Sequence, residues 1–176
     1  MTEPRRNIEL KARDADPARS LATCQSLGAD DQGVLLQSDT YFRILNGRLK
    51  LREQEGATPH LIAYERSDEV GQRESRYWLV EVADAEGIKA ALSAALGIRI
   101  VVAKRRRLFL WRSVRIHLDE VDGLGNFIEL EAVAPPDSDL SCEEARVQTL
   151  RQAFEIDDAD LIGVSYSDLA LGASAV

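Results

Sequence analysis

The charges of this chain recur at every second residue through one short segment after another, and a period of two commits such segments to strands with two unlike faces. In the first, Ile8, Leu10 and Ala12 fall on one face, and Asn7, Glu9, Lys11 and Arg13 on the other. Leu49 and Leu51 oppose Arg48, Lys50 and Arg52. Further on, Ile62, Tyr64 and Arg66 alternate with Leu61, Ala63 and Glu65. Arg115, His117 and Asp119 alternate with Ile116 and Leu118, and Ile128, Leu130 and Ala132 alternate with Phe127, Glu129 and Glu131. From Lys104 to Arg107 the chain is basic on both faces, and periodicity alone does not choose between them.

Helical patterns separate these strands. The first spans about Asp16 to Leu27, where Asp16 suits an N-cap, Pro17 the first helical position and Gly28 the stop. Leu21, Cys24 and Leu27 form its apolar stripe. The second runs from Asp84 to Gly97 with Ile88 and Leu92 on one face. The third begins at Ser141, where Glu144 would complete a capping box, and continues through Val147, Leu150 and Phe154. The tail from Asp160 to Leu171 predicts a short helix packed on the sheet. No repeat or interdomain linker interrupts the pattern. One domain over 1–176 is therefore expected, with its motifs in 7–131 and a helical part in 141–171.

With 176 residues, 45% of them hydrophobic, the chain can build a substantial core. No apolar run is long enough to span a bilayer, and the opening MTEPRRNIEL has no signal core, so a soluble cytoplasmic protein without a membrane partner is the default. Cys24 and Cys142 lack metal-ligand spacing and read as plain thiols. A net charge of -8 argues against a duplex nucleic-acid partner. Any single strand above is explained by one wet face laced with weak ion pairs. Taken together they ask for more, because the polar faces carry Arg and Lys on central strands while Asp119, Glu129 and Glu131 gather near the end of the sheet. Guanidinium and ammonium groups suit phosphate oxygens, and carboxylates suit Mg²⁺ or Mn²⁺. A sheet curled into a barrel would turn the two sets toward each other.

The same residues carry a family resemblance. Asn7-Ile8-Glu9-Leu10-Lys11 resembles the ExExK signature of the CYTH superfamily, named for adenylate cyclase and thiamine triphosphatase. Gln37-Ser38-Asp39-Thr40-Tyr41-Phe42 resembles its D-T-Y-F strand, Gly47 to Arg52 its basic third strand, and Leu61 to Arg66 the next. Val102 to Arg106 resembles its V-x-K-x-R strand. His117 to Val121 followed by Leu124 to Glu131 resembles its D-x-V and LG-x-F-x-E-x-E ending. The match runs in order from Asn7 to Glu131; its one notable departure is Asn7, which keeps an oxygen but loses the charge of the first Glu.

The resemblance implies an α+β fold: an eight-stranded antiparallel β-barrel forming a triphosphate tunnel, with flanking helices. It implies Lys11, Lys50, Arg52, Arg66, Lys104 and Arg106 as phosphate-binding residues, turning Lys104 and Arg106 inward. Arg13 and Arg115, on the same strand faces, join that set. Glu9, Glu129 and Glu131, with Asp119, are the implied ligands of Mg²⁺ or Mn²⁺. Lys11 is the candidate catalytic group, as phosphate binder or as base. His117 reads as a proton shuttle or a structural histidine, and Asp39 as a partner for an inward Arg. Tyr41 and Tyr64 are candidates for the tunnel lining; Trp78, Phe109 and Trp111 read as packing residues. The expected activity is metal-dependent hydrolysis of inorganic triphosphate or a small organic or nucleoside triphosphate. A class IV-type adenylate cyclase and a non-catalytic polyphosphate- or nucleotide-binding module are the alternatives, and removal of the terminal phosphate from RNA 5′ ends ranks below them. The expected partner is the small-molecule triphosphate, and a homodimer stays open.

Overall fold

In a computed structural model of the chain, which describes residues 3–173, the eight strands close into one antiparallel barrel. They are β1 (Arg5–Arg13), β2 (Asp30–Phe42), β3 (Arg48–Gln54), β4 (His60–Arg66), β5 (Arg73–Glu81), β6 (Ile98–Trp111), β7 (Val114–Val121) and β8 (Gly125–Ala134). Two meanders, β2 to β5 and β6 to β8, join through the long β2–β6 pair, and β1 closes the ring between β5 and β8.

The barrel is inverted relative to a small barrel filled with side chains. Its charged faces point inward, and much of its apolar side points outward, under helices. Ile8, Leu10 and Ala12 of β1 pack with Ile116, Leu130 and Ala132 beneath α1 (Pro17–Ser26) and α3 (Ser141–Ala153). Phe42, Leu51 and Val82 form a second cluster under α2 (Ala85–Leu96), met by Ile88 and Leu92. β1 is therefore buried on both faces, and its charged face is no wet surface: Lys11 is 4% exposed. β6 settles the same way, with Lys104 and Arg106 buried and Arg105 exposed.

The helix ends follow local chemistry. Asp16 caps α1 by accepting from the Arg19 amide, and Gly28 turns the chain away at φ +63°. Cys24 is buried in that helix, Cys142 is exposed, and both are free thiols. The capping box expected at Ser141 does not form. Leu140 occupies the cap position in a left-handed conformation, and Ser141 instead donates to Asp139. The tail also differs from one continuous helix. A 3-10 turn at Asp158–Asp160 leads into a stretch that lies along β1, where Leu161 bridges Ala12 and the Ile162 amide donates to the Lys11 carbonyl. Only then does α4 (Tyr166–Ala173) begin. Ser165 and Asp168 exchange side-chain and amide hydrogen bonds at its start, so the reciprocal box sits here.

This tail closes one end of the barrel. Tyr166, Ile162 and Leu169 pack with Tyr41, Val102, Val121 and Phe127, while Arg66 donates to the Gly163 carbonyl. Among the described residues no helix is long and apolar enough to cross a membrane.

Candidate active site

The inward faces enclose a cavity of about 610 Å³ lined, among the described residues, by eight Lys or Arg side chains and three carboxylates. Its cations are arranged around a few buried counter-charges. Asp39, with a side chain 1% exposed, accepts from Lys50 Nζ at 2.9 Å, from Arg52 Nε and Nη2 at 2.7 and 2.8 Å, and from Lys104 Nζ at 2.7 Å. Burial alone would raise the Asp39 carboxyl, but Arg52, Lys104 and Lys50 outweigh it and hold the group well below the usual range. The lysines feel the crowding in reverse. Burial, with Arg52 and Arg106 nearby and only Asp39 opposing, pushes Lys104 down to about 7; burial and Arg52 push Lys50 down to about 8.

Arg106 is the second hub. It forks onto Asp119 at 2.6 and 2.5 Å and reaches Glu129 at 2.5 Å. Glu129 also meets Lys11 Nζ at 3.1 Å, and Lys11 lies 3.8 Å over the Tyr166 ring. Burial would raise Glu129, but Lys11 and Arg106 hold it well below its ordinary value. Glu9 pairs with Arg66 and Arg73, each at 3.1 Å. Glu131 accepts from Asn7 Nδ2 at 2.5 Å and from Arg115 at 3.3 Å. His117 Nδ1 stands 3.5 Å from Glu129 without a hydrogen bond, and burial followed by Arg106 lowers its pKa, which leaves it neutral at pH 7.

Lys11, Lys50, Arg52, Arg66, Lys104 and Arg106 all line this one cavity, as do Glu9, Glu129 and Glu131. Arg115 lies at its edge with a side chain 42% exposed. Two expected residues do not line the cavity. Arg13, the last residue of β1 and the cross-strand partner of Phe127, is exposed and rests over the Phe127 ring. Asp119 faces inward but is sealed behind Arg106, because Tyr166 from α4 donates its hydroxyl to the second oxygen; its side chain is 0% exposed. Trp111 and Phe109 pack in the helix-covered core, and Tyr41 and Tyr64 line the cavity.

Sequence reasoning missed Arg73 and Tyr166. Arg73 alternates with Ser75 and Tyr77, a period-two signal that was there to read. Tyr166 carries no such signal, since a helix from the far end of the chain delivers it.

Among the described residues no three His, Cys, Asp or Glu side chains converge as a ready metal cage. The donor set nevertheless suits a hard cation. Glu9 and Glu131 are cross-strand partners, and Asn7 Oδ1 is buried without a hydrogen-bond partner. Mg²⁺ usually takes one or two carboxylates and completes its shell with water and substrate phosphate. A spare buried oxygen beside two carboxylates is consistent with that habit.

Solved structures with this architecture are known. The PH1012 protein of Pyrococcus horikoshii OT3 superposes with a TM-score of 0.79 at 21% identity, covering 93% of this chain and 98% of its own. A candidate adenylate cyclase of Vibrio parahaemolyticus gives 0.77 at 19% identity, covering 94% and 97%. HpAC1 of Hippeastrum, a candidate adenylyl cyclase with a dominant triphosphatase activity, gives 0.62 at 18% identity, covering 96% of each chain. At such identities the likeness speaks to the fold. No curated protein sequence matches the chain. Residues 5–166, which hold the whole barrel and the first residue of α4, match the CYTH domain, and the chain belongs to that family.

Proposed function

We propose that the protein is a metal-dependent triphosphatase that binds its substrate's phosphates inside the barrel. The observation that carries this reading is the convergence of Lys11, Lys50, Arg52, Arg66, Lys104 and Arg106 from four strands on one cavity. So many buried cations are costly unless an anion arrives to match them, because the resident carboxylates neutralise only part of the charge. Phosphoryl transfer needs little more from a protein than positioning and charge stabilisation.

Lys50, Arg52 and Lys104 are held as one unit by Asp39, which leaves their remaining donors for phosphate oxygens. Arg106 and Lys11 flank Glu129 and would place positive charge on the transferring phosphoryl group. Glu129 and Glu131, with Glu9, would hold Mg²⁺ or Mn²⁺; once bound, such an ion supplies Lewis-acid polarisation of phosphate oxygens and of water. The swap is charge-balanced, since phosphates take over the cations that the carboxylates release. Asp119 and Arg13 have no part in it.

Hydrolysis ranks ahead of cyclisation because the same cavity serves both and HpAC1, which shares the fold, is dominated by triphosphatase activity. Asn7, in place of an acid, keeps a binding module as the second reading, with its amide satisfying Glu131. Phosphorus NMR of the protein with Mg²⁺ or Mn²⁺ and inorganic triphosphate, thiamine triphosphate or ATP separates these readings. Orthophosphate is the expected product, lost in Glu129→Gln; pyrophosphate with a cyclic nucleotide would establish a cyclase, and unchanged spectra a binder.

A further inference from the structure

Beside the cations, three neighbouring strands gather donors of another kind. β8 lies between β1 and β7, and its inward acids meet side chains from both. Glu129 is the cross-strand partner of His117, and Glu131 accepts from Asn7 Nδ2 at 2.5 Å. All four residues line the cavity. His117 is 6% exposed and Asn7 is 2% exposed. Among the described residues, His117 Nδ1 and Asn7 Oδ1 are both buried with no hydrogen-bond partner. Two such atoms beside one pair of acids ask for a partner.

Phosphate is a poor answer. Its oxygens are acceptors, so they satisfy His117 only where Nδ1 carries the proton, and they never satisfy the amide oxygen of Asn7. A cation suits either lone pair, and it suits the acids as well. The spacing is consistent with one. His117 Nδ1 stands 3.5 Å from Glu129 Oε2, which is long for a hydrogen bond, whereas two ligands on one octahedral ion lie about 3 Å apart. An ion has to draw these groups together, since they form no ready cage. Glu129 is free to turn toward it, because Arg106, which holds the same oxygen, keeps its fork on Asp119.

Resting on the metal-dependent reading of this cavity, we propose that His117 is a ligand of the bound ion through Nδ1, beside Glu129 and Glu131, and that it makes the site prefer a transition-metal dication such as Mn²⁺ to Mg²⁺. The ground is donor type. Mg²⁺ takes oxygen ligands and dehydrates reluctantly, so an imidazole nitrogen gains little with it. Neutral imidazole is a common ligand of first-row transition metals, and their affinity for a mixed nitrogen and oxygen site rises along the series that begins at Mn²⁺.

The test reads the ligand directly and needs no turnover. Mn²⁺ is paramagnetic, and pulsed electron paramagnetic resonance detects a nitrogen bonded to it. The metal-stripped protein is loaded with Mn²⁺ and a non-hydrolysable methylene-bridged triphosphate. A histidine nitrogen coupling is expected in the wild type. It should persist in His60→Leu, which removes the chain's other histidine from the same cavity, and vanish in His117→Leu. Competition by Mg²⁺ supplies the second readout. The wild type should hold Mn²⁺ in preference to Mg²⁺, and His117→Leu should reduce that preference by about tenfold. Tripolyphosphate binding in EDTA reports that the variant barrel is folded. Bound Mn²⁺ without a nitrogen coupling in the wild type, or an unchanged preference in a folded His117→Leu, overturns the proposal and leaves the acids as metal ligands. Failure of the wild type to bind Mn²⁺ at all overturns the metal-dependent reading as well.

Discussion

Asp39 neutralises one charge and faces three, so the Lys50–Arg52–Lys104 group keeps a positive surplus in the free protein. Removing that carboxylate leaves three crowded cations without their hydrogen-bonded counter-charge. Asp39→Asn should therefore cost about 3 to 5 kcal/mol of stability in urea unfolding without ligand, and saturating tripolyphosphate should recover part of it. The two lysines supply a second, pH-linked signature. Their folded pKa values are lowered, Lys104 to about 7 and Lys50 to about 8. Burying them charged therefore opposes folding fully below about pH 7, and this opposition fades as pH rises toward their unfolded values near 10.5. Phosphate favours the charged form. Tripolyphosphate binding at pH 8 should therefore take up protons, binding at pH 6 should take up far fewer, and Lys104→Met should shrink the uptake at pH 8. Calorimetry in buffers of different ionisation enthalpy reads this directly; equal uptake at both pH values would mean the lysines are already charged.

At the scale of elements, strands were legible and the ends of the chain's helices less so. A period of two put Lys11, Lys50, Arg66 and Glu129 on the correct faces, because a strand offers only two. What periodicity could not give was which face is wet, since β1 is covered on both sides, by α1 and α3 outside and by the cavity inside. Asp119 shows the limit well. Its face was correct, but its availability was decided by Tyr166, an element remote in sequence. The capping box was expected at Ser141 and formed at Ser165, where Asp168 also pairs with Arg48 and Arg99. Burial would raise the Asp168 carboxyl, but the Ser165 and Arg48 contacts bring it down to about 2. Its contribution to docking α4 is thus present above the ordinary carboxylate pKa and is lost as pH falls through about 2. Asp168→Asn should loosen α4 without unfolding the barrel. Amide exchange across 166–173 is expected to speed up roughly tenfold while β6 stays protected. Loss of protection in both would mean that the tail is part of the barrel's own cooperative unit.

Over the whole molecule, a net charge of -8 hides a cavity lined by eight basic groups and three acids, so the outside is more acidic than the sum suggests. Composition shows a net charge, but it could not see a cation store that exists only once the barrel closes. Every strand contributes to that closure by pairing along both edges, β1 through β5 and β8. A ligand held by four of the eight strands at once should stabilise the fold as a unit. Binding to the folded state alone contributes about 2.7 kcal/mol at a ligand concentration one hundred times Kd. For a chain of 176 residues this corresponds to a rise in Tm of about 5 to 10 °C. Inorganic tripolyphosphate should produce that rise without added metal, since the cations are the protein's own. Orthophosphate, which can engage only part of the set, should give much less at equal concentration. Raising the salt from low to physiological strength should trim the effect only modestly, because the charges are buried and poorly screened. A rise that disappears at physiological salt would assign the binding to exposed surface lysines and arginines and remove the barrel interior from the account.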